Sequence, residues 1–200
     1  MKESYVSVDI EADGPIPGPH SMLSLGAVAY DDDGTELGTF SVNLQTLPDA
    51  SGHPDTMKWW KTQSEAWAAC RVDVEDPATA LPKFAAWAKA LPGKSVFVGY
   101  PVVFDFMFVH WYLHRFTGGT PFSHSALDMK TLAMSLLGGH FTMATKRHMP
   151  RAWFAEQTAH THVAVDDARE QGQLFIAMLK ESRRRHLLFS GNDAPDDIAP

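Results

Sequence analysis

The sequence predicts an α/β fold: a mixed β-sheet, an antiparallel meander followed by parallel strands, flanked by α-helices. Three observations predict it. Three strand-like runs come first and close together, and after them helical periodicity alternates with a further strand. A hydrophobic content of 44% over 200 residues supports one core of the size such layers enclose.

Tyr5 to Ile10 is a short β-branched run and the expected first strand. Gly14 to Pro19 is a proline-rich loop leading out of it. Met22 to Tyr30 and Leu37 to Leu44 read as two more strands, joined by the turn-rich Asp31-Asp32-Asp33-Gly34. Pro54 to Cys70 has helical spacing at Met57, Trp60, Ser64 and Trp67, and Pro77 to Leu91 carries a stripe of Leu81, Phe84, Ala85 and Ala88. Lys94 to Gly99 is expected as a buried strand, Val103 to Phe116 as an apolar helix and Leu127 to Leu137 as another helix. Gly138 to His160 mixes glycine, histidine and basic residues, as a mobile loop would, and Val163 to Arg185 reads as a long last helix. No internal repeat is present. The reading is one domain over 1–188 and an acidic, disordered tail over 189–200.

A single cysteine, Cys70, excludes an internal disulfide and fits a reducing compartment. The start, Met1-Lys2-Glu3-Ser4, leads into no long apolar stretch, and the apolar region Val96 to Leu113 carries Asp105 and His110, which are costly in a bilayer. A cytoplasmic protein without a membrane partner is the expectation. The formal charge of −7 is concentrated: Asp193, Asp196 and Asp197 in the tail, with Asp9, Glu11, Asp105 and Asp167, account for all of it. This balance argues against tight non-specific wrapping of long duplexes, and otherwise leaves a nucleic-acid partner open.

Three clusters carry chemistry. In Asp9-Ile10-Glu11 the carboxylates are two apart on a strand and point to one face, costly unless protonated, solvated or metal-bound. A lone Asp-x-Glu equally describes a solvated strand end. Asp105 lies among Val102, Val103, Phe104, Phe106, Met107 and Phe108, so it needs a cation, a donor or an opening to solvent; a helix N-terminal carboxylate is the structural alternative. The third cluster, His162-Val163-Ala164-Val165-Asp166-Asp167, offers a histidine suited to general-base work and two adjacent acids. On helical spacing alone Asp166 is the better neighbour of His162, whereas Asp167 meets it if His162 precedes the helix.

In order, these clusters resemble the DEDDh family of 3′–5′ exonucleases, which share a ribonuclease-H-like fold and include proofreading exonuclease subunits, ribonuclease T and oligoribonuclease. The first motif is carried by Asp9-Ile10-Glu11 with Ser24-Leu25-Gly26-Ala27-Val28, the second by Phe104-Asp105 and the third by His162-x-Ala164-x-x-Asp167. The resemblance spans Tyr5 to Met178. It implies that Asp9, Glu11, Asp105 and Asp167 bind two divalent cations, that His162 is the general base, and that Asp167 is the ligand with Asp166 its neighbour.

Two departures bear on the pocket: Ala12 and Asp13 follow the glutamate where threonine is common, and Pro101 stands where asparagine is common. An added carboxylate at Asp13 could shift metal affinity or repel phosphate, and the sequence leaves its effect open.

The implied reaction is two-metal-ion hydrolysis of a single-stranded 3′ end to nucleoside 5′-monophosphates. The ions stand roughly 3.5–4 Å apart, and hard oxygen ligands favour Mg2+ or Mn2+. Trp59 and Trp60 between Lys58 and Lys61 are candidate stacking residues, with core packing of Trp60 as the alternative; Lys146 and Arg147 are candidates to close over a phosphate. Rival readings are a small-molecule nucleotide phosphodiesterase and a binding module without hydrolysis. No motif marks recognition of a ribose 2′-hydroxyl, which leaves RNA and DNA both open, and the resemblance is compatible with a homodimer.

Overall fold

The computed structural model describes residues 2–154 and 163–190. β1 (Glu3–Ala12), β2 (Met22–Tyr30) and β3 (Glu36–Asn43) form the antiparallel half of a five-stranded sheet. β4 (Lys94–Gly99) and the two-residue β5 (Leu127–Asp128) join it in parallel, giving the order β3-β2-β1-β4-β5. The helices are α1 (Pro54–Trp60), α2 (Ser64–Ala69), α3 (Pro77–Ala90), α4 (Val102–Thr117), α5 (Met129–Leu137) and α6 (Ala164–Ser190).

Strand alternation sorts the core into two layers. Val6, Val8 and Ile10 of β1 pack with Leu81 and Phe84 of α3 and Phe108 and Tyr112 of α4. Tyr5 and, from β2, Val28 and Tyr30 pack on the other face with Met129 and Ala133 of α5 and Phe175 and Met178 of α6. Asp9 and Glu11 follow Tyr5 and Ser7 in this alternation, which turns them toward α6. Among the described residues no helix is long and apolar enough to cross a membrane.

The elements depart from the sequence reading in four places. The single helix expected over Pro54 to Cys70 is two. The backbone breaks at Lys61 to Gln63, where the Thr62 hydroxyl donates to the Trp59 carbonyl at 2.7 Å and competes with the helical ladder. Leu127–Asp128 is a strand rather than the first turn of a helix. Asp128 is instead the N-cap of α5, accepting from the Thr131 N–H at 3.0 Å, and it also accepts from Val102 N–H at 3.2 Å at the start of α4. Residues 138–154 are packed, with three short 3-10 turns and buried Ala144, Met149 and Trp153; residues 155–160 of the expected loop lie outside the described residues. Finally, α6 continues to Ser190, five residues past its expected end and into the start of the expected tail, of which 191–200 lie outside the described residues.

Candidate active site

β1 outruns its parallel neighbour: pairing with β4 ends at Ser7↔Val98, whereas pairing with β2 continues through Asp9↔Gly26 and Glu11↔Ser24. Past that point β1 has backbone donors on its β4 side with no strand to meet them. The first turn of α4 fills the gap, and the Ile10 N–H donates to Asp105 Oδ1 at 3.2 Å. One hydrogen bond thus satisfies a buried amide and fixes the Asp105 carboxylate at the end of the strand carrying Asp9 and Glu11. The place is the crevice at the carboxyl end of the sheet where open α/β folds bind ligands.

From the other side α6 delivers Asp167. A Cβ on Gly26 would lie 2.2 Å from the Ala164 carbonyl carbon and from the Val165 nitrogen, so only glycine lets the start of α6 lie directly on β2. One turn after Asp167, the buried Gln171 side chain donates to Ser7 Oγ at 3.1 Å and to the Val8 carbonyl at 3.0 Å, pinning the helix to β1. The outcome is that Asp9, Glu11 and Asp167 each place a carboxylate oxygen within 4.8 Å of the others. Asp105 is outside this tight trio but close enough to raise the pKa of Asp9.

Such crowding has an electrostatic signature. Burial first, then Asp105, Glu11 and Asp167, hold the Asp9 carboxyl well above its ordinary value, with Lys146 opposing. Burial and the Asp167 and Asp105 charges push Glu11 up to about 8. Burial raises Asp105 to about 7 against the counteracting Ile10 N–H. Four acids crowd one place, and their donor set, hard carboxylate oxygens, fits magnesium or manganese.

A pH dependence follows. Glu11 has an ordinary value of 4.5 and a folded value of about 8, so across that window the folded chain binds more protons than the unfolded one. Stability without metal is therefore expected to fall as pH rises from about 4.5 to about 8, and added Mn2+ should raise the unfolding midpoint more at the alkaline end, because its ligands must be ionised. Thermal unfolding with chelator and with Mn2+ measures both slopes; a chelated midpoint that is flat or rising across the window contradicts this electrostatic reading.

The other predicted positions sort clearly. Asp166 is exposed and lies 3.7 Å from Arg169 in an ion pair, which leaves Asp167 as the acid facing Asp9 and Glu11. Asp13 is not one of the converging carboxylates: its Oδ1 accepts from Ser21 N–H at 2.6 Å, closing the Gly14–Pro19 loop. Pro101 is the N-cap residue of α4. Trp60 is a correction as a stacking residue, being 2% exposed with its Nε1–H donating to the Ala12 carbonyl at 3.0 Å. Trp59 is 41% exposed, its ring edge-on to Trp60 at 4.8 Å. Lys146 is the cation felt by Asp9 and pairs with Glu170 at 2.8 Å, whereas Arg147 is exposed on the same turn. His162 lies outside the described residues.

Sequence reasoning missed the positioning roles of Gly26 and Gln171, although a glycine inside an apolar strand is the usual mark of close backbone approach. Gly26→Ala is expected to keep the sheet yet lift the start of α6, lowering turnover by about 10²-fold through misplacement of Asp167. Turnover measured beside circular dichroism checks this; wild-type turnover in the variant contradicts it.

The chain is similar to known nucleases over most of its length. The family model of the Rv2179c-like 3′–5′ exoribonuclease domain matches residues 4–179. The 3′–5′ DNA exonuclease Cap18 of Escherichia coli is 32% identical over 190 residues, covering 93% of this chain and 97% of the relative. Among solved structures, the nuclease domain of 3′hExo, a DEDDh family member bound to rAMP, aligns with a TM-score of 0.68 at 11% identity, over 90% of this chain and 93% of that one. E. coli exonuclease I in complex with a dT13 oligonucleotide gives 0.65 at 17% identity, over 94% of this chain and 43% of that one. S. pombe Pop2p in its Mg2+ and Mn2+ bound form gives 0.62 at 13% identity, over 95% and 86%. At those identities the likeness is one of fold, the ribonuclease-H-like sheet expected from the sequence. The family match over most of the length and the end-to-end relative decide the assignment: the chain belongs to the Rv2179c-like 3′–5′ exoribonuclease domain family and is a nuclease that hydrolyses phosphodiester bonds.

Proposed function

We propose that the chain removes nucleoside 5′-monophosphates one at a time from the 3′ end of single-stranded RNA or DNA, using two divalent cations, Mg2+ or Mn2+, held by Asp9, Glu11, Asp105 and Asp167. The observation that carries this is the convergence of Asp9, Glu11 and Asp167 oxygens within 4.8 Å, with Asp105 beside them. When bound, such ions lower the pKa of the attacking water and stabilise the charge of the leaving oxygen.

The chain's own groups do the rest. Asp9 is acted on by all three other carboxylates, as suits a ligand shared between two ions. The hydrogen bond from Ile10 N–H orients the Asp105 carboxylate, which would serve as a further cation ligand. His162, two residues ahead of α6, takes a proton from the attacking water as general base. Lys146, already close enough to act on Asp9, supplies positive charge for a scissile phosphate, with Arg147 beside it. The exposed ring of Trp59 offers a stacking face for a base near the 3′ end.

The family description names RNA and the E. coli relative is named for DNA, so the sugar is the property to measure first. The test is a gel of matched 5′-labelled single-stranded RNA and DNA with Mg2+, Mn2+ or excess chelator. A ladder shortening from the 3′ end, stopped by chelator, is expected, and the faster polymer identifies the sugar. Release of inorganic phosphate without shortening would instead indicate a small-molecule phosphatase, and binding without either product a silent nucleic-acid module.

A further inference from the structure

Away from the carboxylate centre, a looser group of imidazoles gathers around His110. His110 and His114 are four apart on α4 and therefore share a face; their ring centroids are 4.4 Å apart at 49°. The chain then turns back through Gly118, which holds the left-handed conformation after the helix at φ 72°. The following loop is anchored by buried Phe122, whose ring lies 5.3 Å from that of Phe97. This return brings His124 to 6.5 Å from His110. Among the described residues, none of the three side chains makes an ion pair or a hydrogen bond. His110 Nδ1 is moreover the one buried side-chain nitrogen or oxygen among the described residues without a partner. An unmet buried polar atom costs free energy and calls for an explanation, a bound ion being one.

We infer that His110, His114 and His124 form a second metal site, for a divalent ion of the zinc class, separate from the carboxylate centre. The ligand chemistry supports the distinction: imidazole nitrogen suits zinc, nickel or copper, whereas carboxylate oxygen suits magnesium or manganese. Two nitrogens sharing one tetrahedral ion stand roughly 3.3 Å apart, which side-chain rotation reaches from rings 4.4 Å between centroids. His124 is farther off and must swing inward from its loop. Once closed, the site would tie the α4–β5 loop to the helix that carries Asp105 at its other end. Packing against Phe106, whose ring lies 5.1 Å from that of His110, accounts for the orientation of one ring. It does not account for the two further imidazoles on either side of His110, or for the orphaned nitrogen.

The experiment is a calorimetric Zn2+ titration in excess Mg2+, on the wild type, on Asp9→Asn and on the His114→Ala/His124→Ala double variant. Both substituted histidines are exposed, so the double variant should fold and keep its exonuclease activity. His124→Gln alone, a change confined to the loop, serves as the second variant. One Zn2+ per chain is expected in the wild type and in Asp9→Asn, weakened about tenfold or more in the double variant and less in His124→Gln. Absence of binding, an affinity unchanged in both histidine variants, or loss of the ion in Asp9→Asn would each overturn the proposal. The first two results leave the exonuclease reading intact, since that reading is tested on polymer shortening.

Discussion

Asp9→Asn is expected to fold and to lose at least ~10³-fold in exonuclease turnover. Asparagine keeps the size and one oxygen but removes the charge on which all three neighbouring carboxylates act. A ligand shared by two ions carries several kcal/mol of transition-state stabilisation, and each 1.36 kcal/mol is tenfold in rate. Stability should move the other way. Burial and three acids disfavour the Asp9 carboxylate in the metal-free fold, so the amide relieves repulsion and the unfolding midpoint with chelator should stay level or rise. Turnover and thermal unfolding on the same preparation check both signs. Activity within tenfold of wild type contradicts the ligand role, and a falling midpoint contradicts the electrostatic account.

His162→Ala should cost ~10²–10⁴-fold in turnover near neutral pH, the usual share of a positioned proton acceptor. A purely structural role for this histidine would lower the rate without altering the shape of its pH dependence. At saturating metal, which keeps the carboxylate ligands ionised, loss of a general base should also remove the acid limb of the profile, because the remaining group whose protonation silences the enzyme is gone. Near-full activity of His162→Ala at neutral pH, or an unchanged profile, contradicts the assignment.

Much of the frame was legible because its signals are local. The β-branched run at Tyr5 to Ile10, the turn at Asp31 to Gly34 and the apolar stripe of Leu81, Phe84, Ala85 and Ala88 each declare an element through their own neighbours. The break in α1–α2 was not legible, since Met57, Trp60, Ser64 and Trp67 keep helical spacing across it. What interrupts the ladder is a Thr62 hydroxyl, and what holds Trp60 in place is the Ala12 carbonyl 48 positions away. Leu127–Asp128 was read as helix because two residues are too few to show alternation, and only pairing with β4 makes them a strand.

The candidate site divides in the same way. Asp9 and Glu11 are legible as two same-face acids on one strand, and the choice of Asp167 over Asp166 came from resemblance, because helical spacing favoured the other acid. The long-range supports were hidden. Gly26 beneath Ala164, the Ile10 amide against Asp105 and Gln171 against Ser7 each join residues far apart in the chain, and no spacing rule links them. Asp13 shows the converse: two positions beyond Glu11 it looks like a further ligand, yet the strand ends at Ala12 and its carboxylate turns to Ser21 N–H.

The central claim, that Asp9, Glu11, Asp105 and Asp167 together hold two catalytic cations, is tested most directly by anomalous diffraction from crystals soaked in Mn2+ with a nucleoside 5′-monophosphate. Two anomalous peaks ~3.5–4 Å apart, with Asp9 touching both, are the expected result. A single peak that Asp9 does not touch, or no peak at these carboxylates in crystals that bind the nucleotide, would contradict it.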